Sequence, residues 1–383
     1  MVLYGCLQKQ TSKRSRKSMI DLVFRAGKRY FRNLTLMLCL AALCLASAGC
    51  GGSGSGSGSA SSAASAESAA GGEESTSAES AQQDTSQAAA QESRTLKIGV
   101  LKIADSFPLY AAQAEGLFEE KGLNVEIVEF SSASDQSVAY EAGELDGMMT
   151  DMIVQSLINK ASGEDGMKAV AMAFGGTPEE GRFLVISTPD AGIEEPADLT
   201  GKKIGISENT MMEYLVTSYL EDLGVDLAEV ELVNIPKLTL RLDSVMEGSD
   251  IQAAILPDPL AIEAENRGCP TVIDDTQLGK NYSQSVITLR SKICEQEPEI
   301  RDAFLDAYNE AIDRIDAEPD SFEELFYEKA NVADALHGIY TVPSYTSHCV
   351  PTEEEVAKIQ DWMVGKGLLD EAFSYGDIVQ PQE

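Results

Sequence analysis

Residues 96–130, LKIGVLKIADSFPLYAAQAEGLFEEKGLNVEIVEF, predict a strand, a helix and a second strand in that order. Residues 96–101 and 125–130 are short apolar runs typical of buried strands. Residues 109–121, between them, have a helical pattern, with Ala112 and Leu117 among the apolar positions. Two strands joined by a crossover helix form the unit from which parallel sheets are built, so this stretch predicts an α/β protein.

The same alternation of strand and helix continues through two successive sets that end near residue 273. The further predicted strands are 145–149, 168–174, 183–187, 203–206, 230–235, 253–256 and 271–273, with helices at 134–142, 152–160, 211–223, 238–246 and 260–267. Two sets predict two lobes, each built on a parallel sheet. The roughly 290 residues from Thr95 onward are also more than a single core usually holds.

Beyond these two sets the sequence is mostly helical. Five apolar residues recur at three- or four-residue spacing and form one stripe: Ile300, Phe304, Tyr308, Ile312 and Ile315. Thr352 and Glu355 have the spacing of a capping box that opens a further helix through Trp362. We expect these C-terminal helices to pack on the lobes.

The N-terminal 49 residues predict a secretory signal peptide. Residues 1–33 are basic, and the apolar run 34–48 is shorter than the ~20 residues of a membrane-spanning helix. Met19 is an alternative start. The run ends at Ser47-Ala48-Gly49-Cys50, which resembles the bacterial lipobox. That resemblance implies a diacylglycerol, and hence palmitate, on Cys50, and an anchor on the outer face of the cell membrane.

Residues 51–93 are almost entirely Gly, Ser, Ala, Gln and Glu and cannot bury a core. With Cys50 they predict a disordered tether that spans roughly 36 Å. Of the 29 Lys and Arg residues nine precede Cys50, and of the 63 Asp and Glu residues only Asp21 does, so the charge from Cys50 onward is −42. Such a charge excludes nucleic acid as a partner, but local dipoles still permit an anionic ligand.

The cysteines and histidines give little support to a metal, cofactor or catalytic site. Cys269, Cys294 and Cys349 follow Cys50, which allows at most one disulfide among them and leaves free thiols as the simpler alternative. Their spacing fits neither zinc nor a CxxC site, and His337 and His348 lie in the helical tail. HExxH, GxSxG, P-loop and EF-hand patterns are absent from the sequence. We therefore expect no metal, no cofactor and no enzyme activity.

Four segments in order resemble one family of proteins. They are residues 111–128 (AAQAEGLFEEKGLNVEIV), 142–147 (AGELDG), 195–206 (EPADLTGKKIGI) and 253–260 (AAILPDPL). Together they are similar to the solute-binding proteins of nitrate, sulfonate, taurine and thiamine-precursor ABC transporters. The resemblance implies the two-lobed periplasmic-binding-protein type II fold, a small-molecule ligand between the lobes, and an ABC permease and ATPase as partners of a monomer.

The resemblance also implies the domain boundaries. Residues 94–383 would form the solute-binding domain, with lobe one at about 95–187 plus 285–383 and lobe two at about 190–280. The chain would cross between lobes near residues 188–192 and again near 281–284. Sensing lipoproteins would share these features, and enzymes of the pyrimidine synthase and desulfinase type have the same fold, although those are cytoplasmic.

Candidate ligand-binding residues follow from the rule that ligands of open α/β sheets sit beyond the carboxyl ends of strands. They are Ser106, Phe107, Tyr110, Ser131, Ser132, Thr150, Asp151, Phe174, Asn209, Thr210 and Asp258. The alternatives are helix capping for the polar residues and core packing for the aromatic ones. Amides at helix starts favour an oxyanion such as a sulfonate or nitrate, whereas the aromatic residues favour a pyrimidine. The nearest candidate arginine is Arg182.

Overall fold

A computed structural model describes residues 94–248, 250–282 and 284–382, without the side chain of Glu164. The predicted signal peptide, the predicted lipidation site at Cys50 and the predicted tether lie outside these ranges. Within the described ranges no helix combines the length and apolar composition needed to cross a membrane. All of the described residues belong to one compact unit.

The first sheet has five strands in the order β2-β1-β3-β10-β4. Its strands are β1 (Arg94–Leu101), β2 (Leu123–Phe130), β3 (Gly147–Asp151), β4 (Met167–Phe174) and β10 (Ser285–Arg290). β1 runs parallel to β2 and β3, while β10 is antiparallel to β3 and β4. Alternate residues of β1, beginning with Leu96 and Ile98, are fully buried, which fixes the register against the core.

Helices cover both faces of this sheet and define the first lobe. They are α1 (Phe107–Ala114), α2 (Leu117–Glu120), α3 (Ala133–Glu141), α4 (Met152–Ser162), α8 (Ser291–Gln296), α9 (Pro298–Ala317), α10 (Glu323–Lys329), α11 (Glu353–Lys366) and α12 (Tyr375–Ile378). The helix predicted at 109–121 is two helices, because Gly116 adopts a left-handed φ of 73° between α1 and α2.

The second sheet has the order β7-β6-β8-β5-β9 and forms the second lobe. Its strands are β5 (Phe183–Ser187), β6 (Lys203–Ile206), β7 (Glu231–Asn234), β8 (Ala253–Pro257) and β9 (Thr271–Asp274). Its main helices are α5 (Met211–Asp222), α6 (Leu238–Glu247) and α7 (Leu260–Asn266). Leu215, Val216 and Tyr219 on α5 are fully buried against this sheet.

The placement of β5 in lobe one was wrong. β5 pairs antiparallel with β8 and β9, so the chain has already crossed to the second lobe before Phe183. An apolar strand buried on both faces carries the same pattern in either lobe, which is why the sequence did not separate the two placements. The predicted all-parallel sheets are also corrected, because β5 and β10 are antiparallel in the sheets that they enter.

The C-terminal helices pack mainly on the first lobe. Four residues of the predicted α9 stripe are buried, and Ile300 packs at its edge. Thr352 and Glu355 form both bonds of the predicted capping box. α11 packs on α4, but its Trp362 Nε1 also donates to Thr217 Oγ1 of α5 at 3.1 Å. This helix therefore contacts both lobes.

Candidate ligand site between the lobes

A small cavity lies where the carboxyl ends of strands from both sheets face each other. Its first-lobe wall includes Asp105, Gln136, Thr150 and Asp151, and its second-lobe wall includes Ser207, Thr210, Met211, Met212 and Arg241. The cavity measures about 50 Å³, which is room for a few water molecules. A ligand of several heavy atoms therefore needs the lobes to move apart.

Helix starts supply backbone amides on both walls. Ser132 caps α3 by accepting from Asp135 N, and Thr210 caps α5 by accepting from Met212 N. Asp151 caps α4 by accepting from Ile153 N and Val154 N, each at 2.9 Å. The positive ends of three helices thus point at the gap between the lobes, which favours negative charge there.

The Asp151 carboxylate also joins the lobes. Its second oxygen accepts from Met211 N, the first amide of α5 in the second lobe, at 3.1 Å. Burial raises the pKa of Asp151, although its three backbone hydrogen bonds oppose that shift. A single first-lobe carboxylate therefore sits at the helix start where an anionic ligand group would also be stabilised.

Arg241 is the most unusual residue of the cavity wall. It projects from α6, is fully buried, and none of its three guanidinium nitrogens has a partner among the described residues. Burial lowers the pKa of Arg241 to about 10, so the side chain is still charged at neutral pH. A buried cation without a counter-ion is costly, and an anion in the cavity would offset that cost.

Asp105 provides negative charge on the opposite wall. Its carboxylate accepts from Ser285 Oγ of β10 at 2.5 Å and is almost completely buried. Burial raises the pKa of Asp105 to about 6, against the opposing effect of the Ser285 hydrogen bond. The cavity thus has one cationic and one anionic wall.

Some of the predicted site residues line this cavity and others do not. Thr150, Asp151 and Thr210 lie on its walls, and the Thr150 hydroxyl has no partner among the described residues. Ser132 lies at the start of α3, beside the wall, whereas Ser131 is exposed and donates to Asp135. Whether any of them binds ligand stays a prediction.

The predicted aromatic contacts are corrected, because all three side chains are packed in the first-lobe core. Phe107 is fully buried, with its ring centroid 5.0 Å from that of Phe326. Phe174 packs at 5.1 Å against Tyr345. Tyr110 is buried and donates to Glu129 at 3.0 Å. None of the three lines the inter-lobe cavity, so they give no support to an aromatic ligand there.

Three predicted polar residues lie off the cavity wall. Ser106 is buried, and its hydroxyl has no partner among the described residues. Asn209, with a φ of 57°, lines a neighbouring depression and accepts from Lys366 at 3.2 Å. Asp258 forms an ion pair with Arg182 at 3.4 Å. Arg182 itself is surrounded by Asp258, Glu265 and Asp274, so its charge is already compensated.

Sequence reasoning missed Arg241, although one signal pointed to it. Arg241 stands between Leu238 and Val245 in the apolar stripe of α6, where a hydrophobic residue is expected. A charged residue in a buried stripe is rare unless it is paired or functional. That pattern is visible in the sequence, but the rule that ligands lie beyond the carboxyl ends of strands concerns only residues directly after strands.

No cysteine or histidine of the described ranges lines the cavity. Cys269, Cys294 and Cys349 are free thiols, the first two buried. Within the part of the chain that the structure describes, no group of three His, Cys, Asp or Glu side chains is arranged to hold a metal ion. The cavity chemistry is therefore that of buried charges and helix-start amides.

Residues 103–322, more than half of the chain, match the profile of the family described as NMT1/THI5 like. The chain belongs to the NMT1/THI5-like family. It is 25% identical over 302 residues to a protein of Brachyspira hyodysenteriae named as an ABC transporter periplasmic binding protein. That match covers 72% of this chain and 84% of the relative.

Solved structures share the fold of this family member at low sequence identity. The alkanesulfonate-binding protein SsuA from Xanthomonas axonopodis pv. citri, bound to MOPS, has a TM-score of 0.63 and 16% identity, covering 76% of this chain and 99% of that one. The desulfurization enzyme DszB has a TM-score of 0.59 and 17% identity, covering 76% and 97%. The family and the two-lobed periplasmic-binding-protein fold predicted from the sequence are confirmed. Since a binding protein and an enzyme share this fold, the fold alone does not separate binding from catalysis.

Proposed function

We propose that the protein binds a small anionic solute between its lobes and delivers it to an ABC importer on the outer face of the cell membrane. Membership of the NMT1/THI5-like family and the name of the Brachyspira hyodysenteriae relative support solute binding for import. The single observation that carries the anionic ligand is Arg241, a fully buried guanidinium without a partner among the residues that the structure describes.

The mechanism is a two-state closure. The lobes sample open and closed forms, and a ligand that contacts both walls favours the closed one. An oxyanion would accept hydrogen bonds from Arg241 of the second lobe and from helix-start amides of either lobe. The closed form would present paired lobe surfaces to the permease, and the partner ATPase would supply the energy.

Replacement of Arg241 tests the anion site. We expect Arg241→Met to weaken binding of butanesulfonate or nitrate, whichever the purified full-length protein binds, at least tenfold by calorimetry. The same change should raise the free energy of unfolding by about 1–3 kcal/mol, because it removes an unpaired buried charge. Stability and affinity would thus move in opposite directions, which a general packing defect does not produce.

Arg267→Met is the matched control. Arg267 lies in the same lobe, its side chain is 54% exposed, and it pairs with Glu263 on the surface. We expect little change in affinity and less than about 0.5 kcal/mol in stability. Unaltered anion affinity in Arg241→Met, or an equal loss in both variants, would exclude Arg241 as the anion site.

Binding is favoured over catalysis by the chemistry of the cavity. The desulfurization enzyme shares the fold, but the walls described here present neither a thiol nor an imidazole. We therefore propose that the chain is not an enzyme. A ligand-sensing lipoprotein remains the alternative to a transport receptor, and a permease and ATPase co-purifying with the protein would support transport.

We also propose that Cys50 carries the lipid anchor and that the protein is a monomer. The supporting observation is the sequence around Cys50, a short apolar run followed by small residues and a polar tether. Labelled palmitate should enter the protein in cells, and Cys50→Ala should abolish the label and release the protein from membranes. Retention of the label in that variant would place the lipid elsewhere.

A further inference from the structure

The last two turns of α11, a helix of the first lobe, contact the beginning of α5 in the second lobe. Lys366 forms an ion pair with Glu213 and also donates to Asn209 Oδ1 at 3.2 Å. One turn earlier, Trp362 donates from Nε1 to Thr217 Oγ1 at 3.1 Å. None of these five residues lines the inter-lobe cavity. The lobes are therefore joined at a second place, apart from the Asp151 link.

This contact is well packed and partly shielded from water. The Glu213 side chain is only 9% exposed, and that of Lys366 is 31% exposed. The Trp362 ring meets Tyr214 of α5 edge-on, with centroids 5.5 Å apart, and the Lys366 ammonium lies 5.1 Å from the Trp362 centroid. A buried carboxylate that loses its cation is strongly destabilising. The pair therefore favours the arrangement in which the two lobes are together.

The same contact supports one wall of the cavity. Asn209 has a left-handed φ of 57°, which is uncommon for a residue other than glycine. Its backbone N donates to Glu213 Oε2 at 2.7 Å, and its side chain accepts from Lys366. Thr210 and Met211, which line the cavity, follow directly in the chain. Lys366 thus holds the turn at which α5 starts without reaching the cavity itself.

We propose that this contact is a latch that holds the lobes closed and positions the start of α5 for ligand binding. The latch consists of Lys366 and Trp362 on the first lobe and Asn209, Glu213 and Thr217 on the second. This inference rests on the proposed function and assigns Lys366 as a positioning residue, since it acts through α5. Ligand entry requires the lobes to move apart, so the latch opens and re-forms in each binding cycle. Its loss lowers the fraction of closed protein, and the apparent affinity for every ligand falls by that same factor.

Fluorescence quenching by acrylamide tests the latch in the full-length protein without ligand. Trp362 is the only tryptophan of the chain, so the signal reports this contact alone. We expect Lys366→Met and Glu213→Gln each to roughly double the quenching constant, because opening of the lobes exposes the indole ring. Glu213→Gln leaves Lys366 and Thr217 in place, and it thereby separates opening from the loss of a charge beside the indole. Saturating butanesulfonate or nitrate should return the quenching in both variants toward the parent value.

Calorimetry tests whether the latch acts on binding. We expect Lys366→Met to weaken binding of butanesulfonate and of nitrate by one common factor, about fivefold, because the variant changes the closed population and no ligand contact. Lys121→Met is the matched control. The Lys121 side chain is 34% exposed and pairs with Asp306 at 3.4 Å, but both residues belong to the first lobe. This variant should change neither the quenching nor the affinity appreciably.

The outcomes separate the latch from the proposed anion site. Parent-like quenching in both Lys366→Met and Glu213→Gln would overturn the latch, whether or not a ligand binds. Increased quenching without a loss of affinity would overturn the positioning role. Binding of neither compound by the parent protein would instead contradict the proposed anion site, while the quenching without ligand would still decide whether the latch exists.

Discussion

Asp105 is a buried carboxyl whose protonation is linked to the stability of the fold. Burial raises its pKa from the ordinary 3.8 to about 6, so between these values the folded protein binds more protons than the unfolded chain. Because of this group, the free energy of unfolding falls as pH rises through that range. At pH 8 the residue carries its full charge at a cost on the order of 2–3 kcal/mol.

We expect Asp105→Asn to remove this pH dependence. The variant should be more stable than the parent protein at pH 8, and this advantage should be much smaller at pH 4.5, where the folded carboxyl is protonated and the unfolded one partly so. The asparagine still accepts from Ser285 without becoming charged. Urea unfolding at the two pH values measures the difference. A variant that is less stable at pH 8 would show that the charged carboxylate is stabilised by a partner that the structure does not reveal.

At the scale of residues, helix caps were predictable from the local sequence, whereas the residues that line the inter-lobe cavity were predictable only in part. Ser132, Asp151 and Thr210 are N-caps because short polar side chains before helices satisfy free amides, a local rule. The surroundings of the Phe107 and Arg241 side chains, by contrast, depend on which face of each helix is turned toward the cavity in the folded molecule. The hydrophobic pattern of α1 does not say whether its aromatic side chain meets the cavity or the C-terminal helices, and only the packing against Phe326 decides this.

At the scale of elements, Asp151 connects the start of α4 in one lobe with the start of α5 in the other. One carboxylate oxygen caps α4 and the other accepts from Met211 N. An asparagine has only one acceptor oxygen, so Asp151→Asn can keep the cap but must place its NH₂ group against the Met211 amide. The substitution therefore breaks the link between lobes and spares the helix start.

We expect Asp151→Asn to shift the protein toward the open form without added ligand. Spin labels at Val138 of α3 and Leu240 of α6, both well exposed, would report a longer inter-lobe distance. Asp151→Ala is the comparison, since it should open the lobes and also lose about 1 kcal/mol of stability with the cap. Identical distance distributions in the parent and both variants would show that the link does not hold the lobes together.

Element types and order were predictable from local patterns, and element partners were less so. The strands β1, β6 and β8 and the helices α5 and α6 lie close to their predicted positions because each carries its own periodicity. The local sequence does not determine which sheet β5 joins, since all five of its residues are buried and such an apolar strand would fit either sheet. The capping box at Thr352 was found because both of its members lie within one turn.

At the scale of the whole molecule, the second lobe is inserted into the sequence of the first. β5 lies between β8 and β9 in the second sheet, and β10 lies between β3 and β4 in the first. α11 adds a further connection, because it packs on α4 and also reaches α5 through Trp362. The first sheet is therefore incomplete until the chain has returned from the second lobe, whose five strands are consecutive in the sequence.

We expect the described part of the chain to unfold in one cooperative transition. Unfolding of the second lobe would place a long unfolded loop before β10 and remove the contact of α11 with α5, so it should destabilise the first lobe as well. Calorimetry of the full-length protein should give one peak, with equal calorimetric and van't Hoff enthalpies. Two resolved peaks would mean that one lobe stays folded while the other is unfolded.

The position of β10 between β3 and β4 also determines how late in synthesis the first sheet can be completed. The first sheet has four of its strands once Phe174 has been made, but β4 stays unpaired and β3 lacks its second neighbour until residues 285–290 emerge. At ordinary translation rates that interval lasts on the order of ten seconds. The topology itself thus delays completion of the first sheet until the whole second lobe has been synthesised.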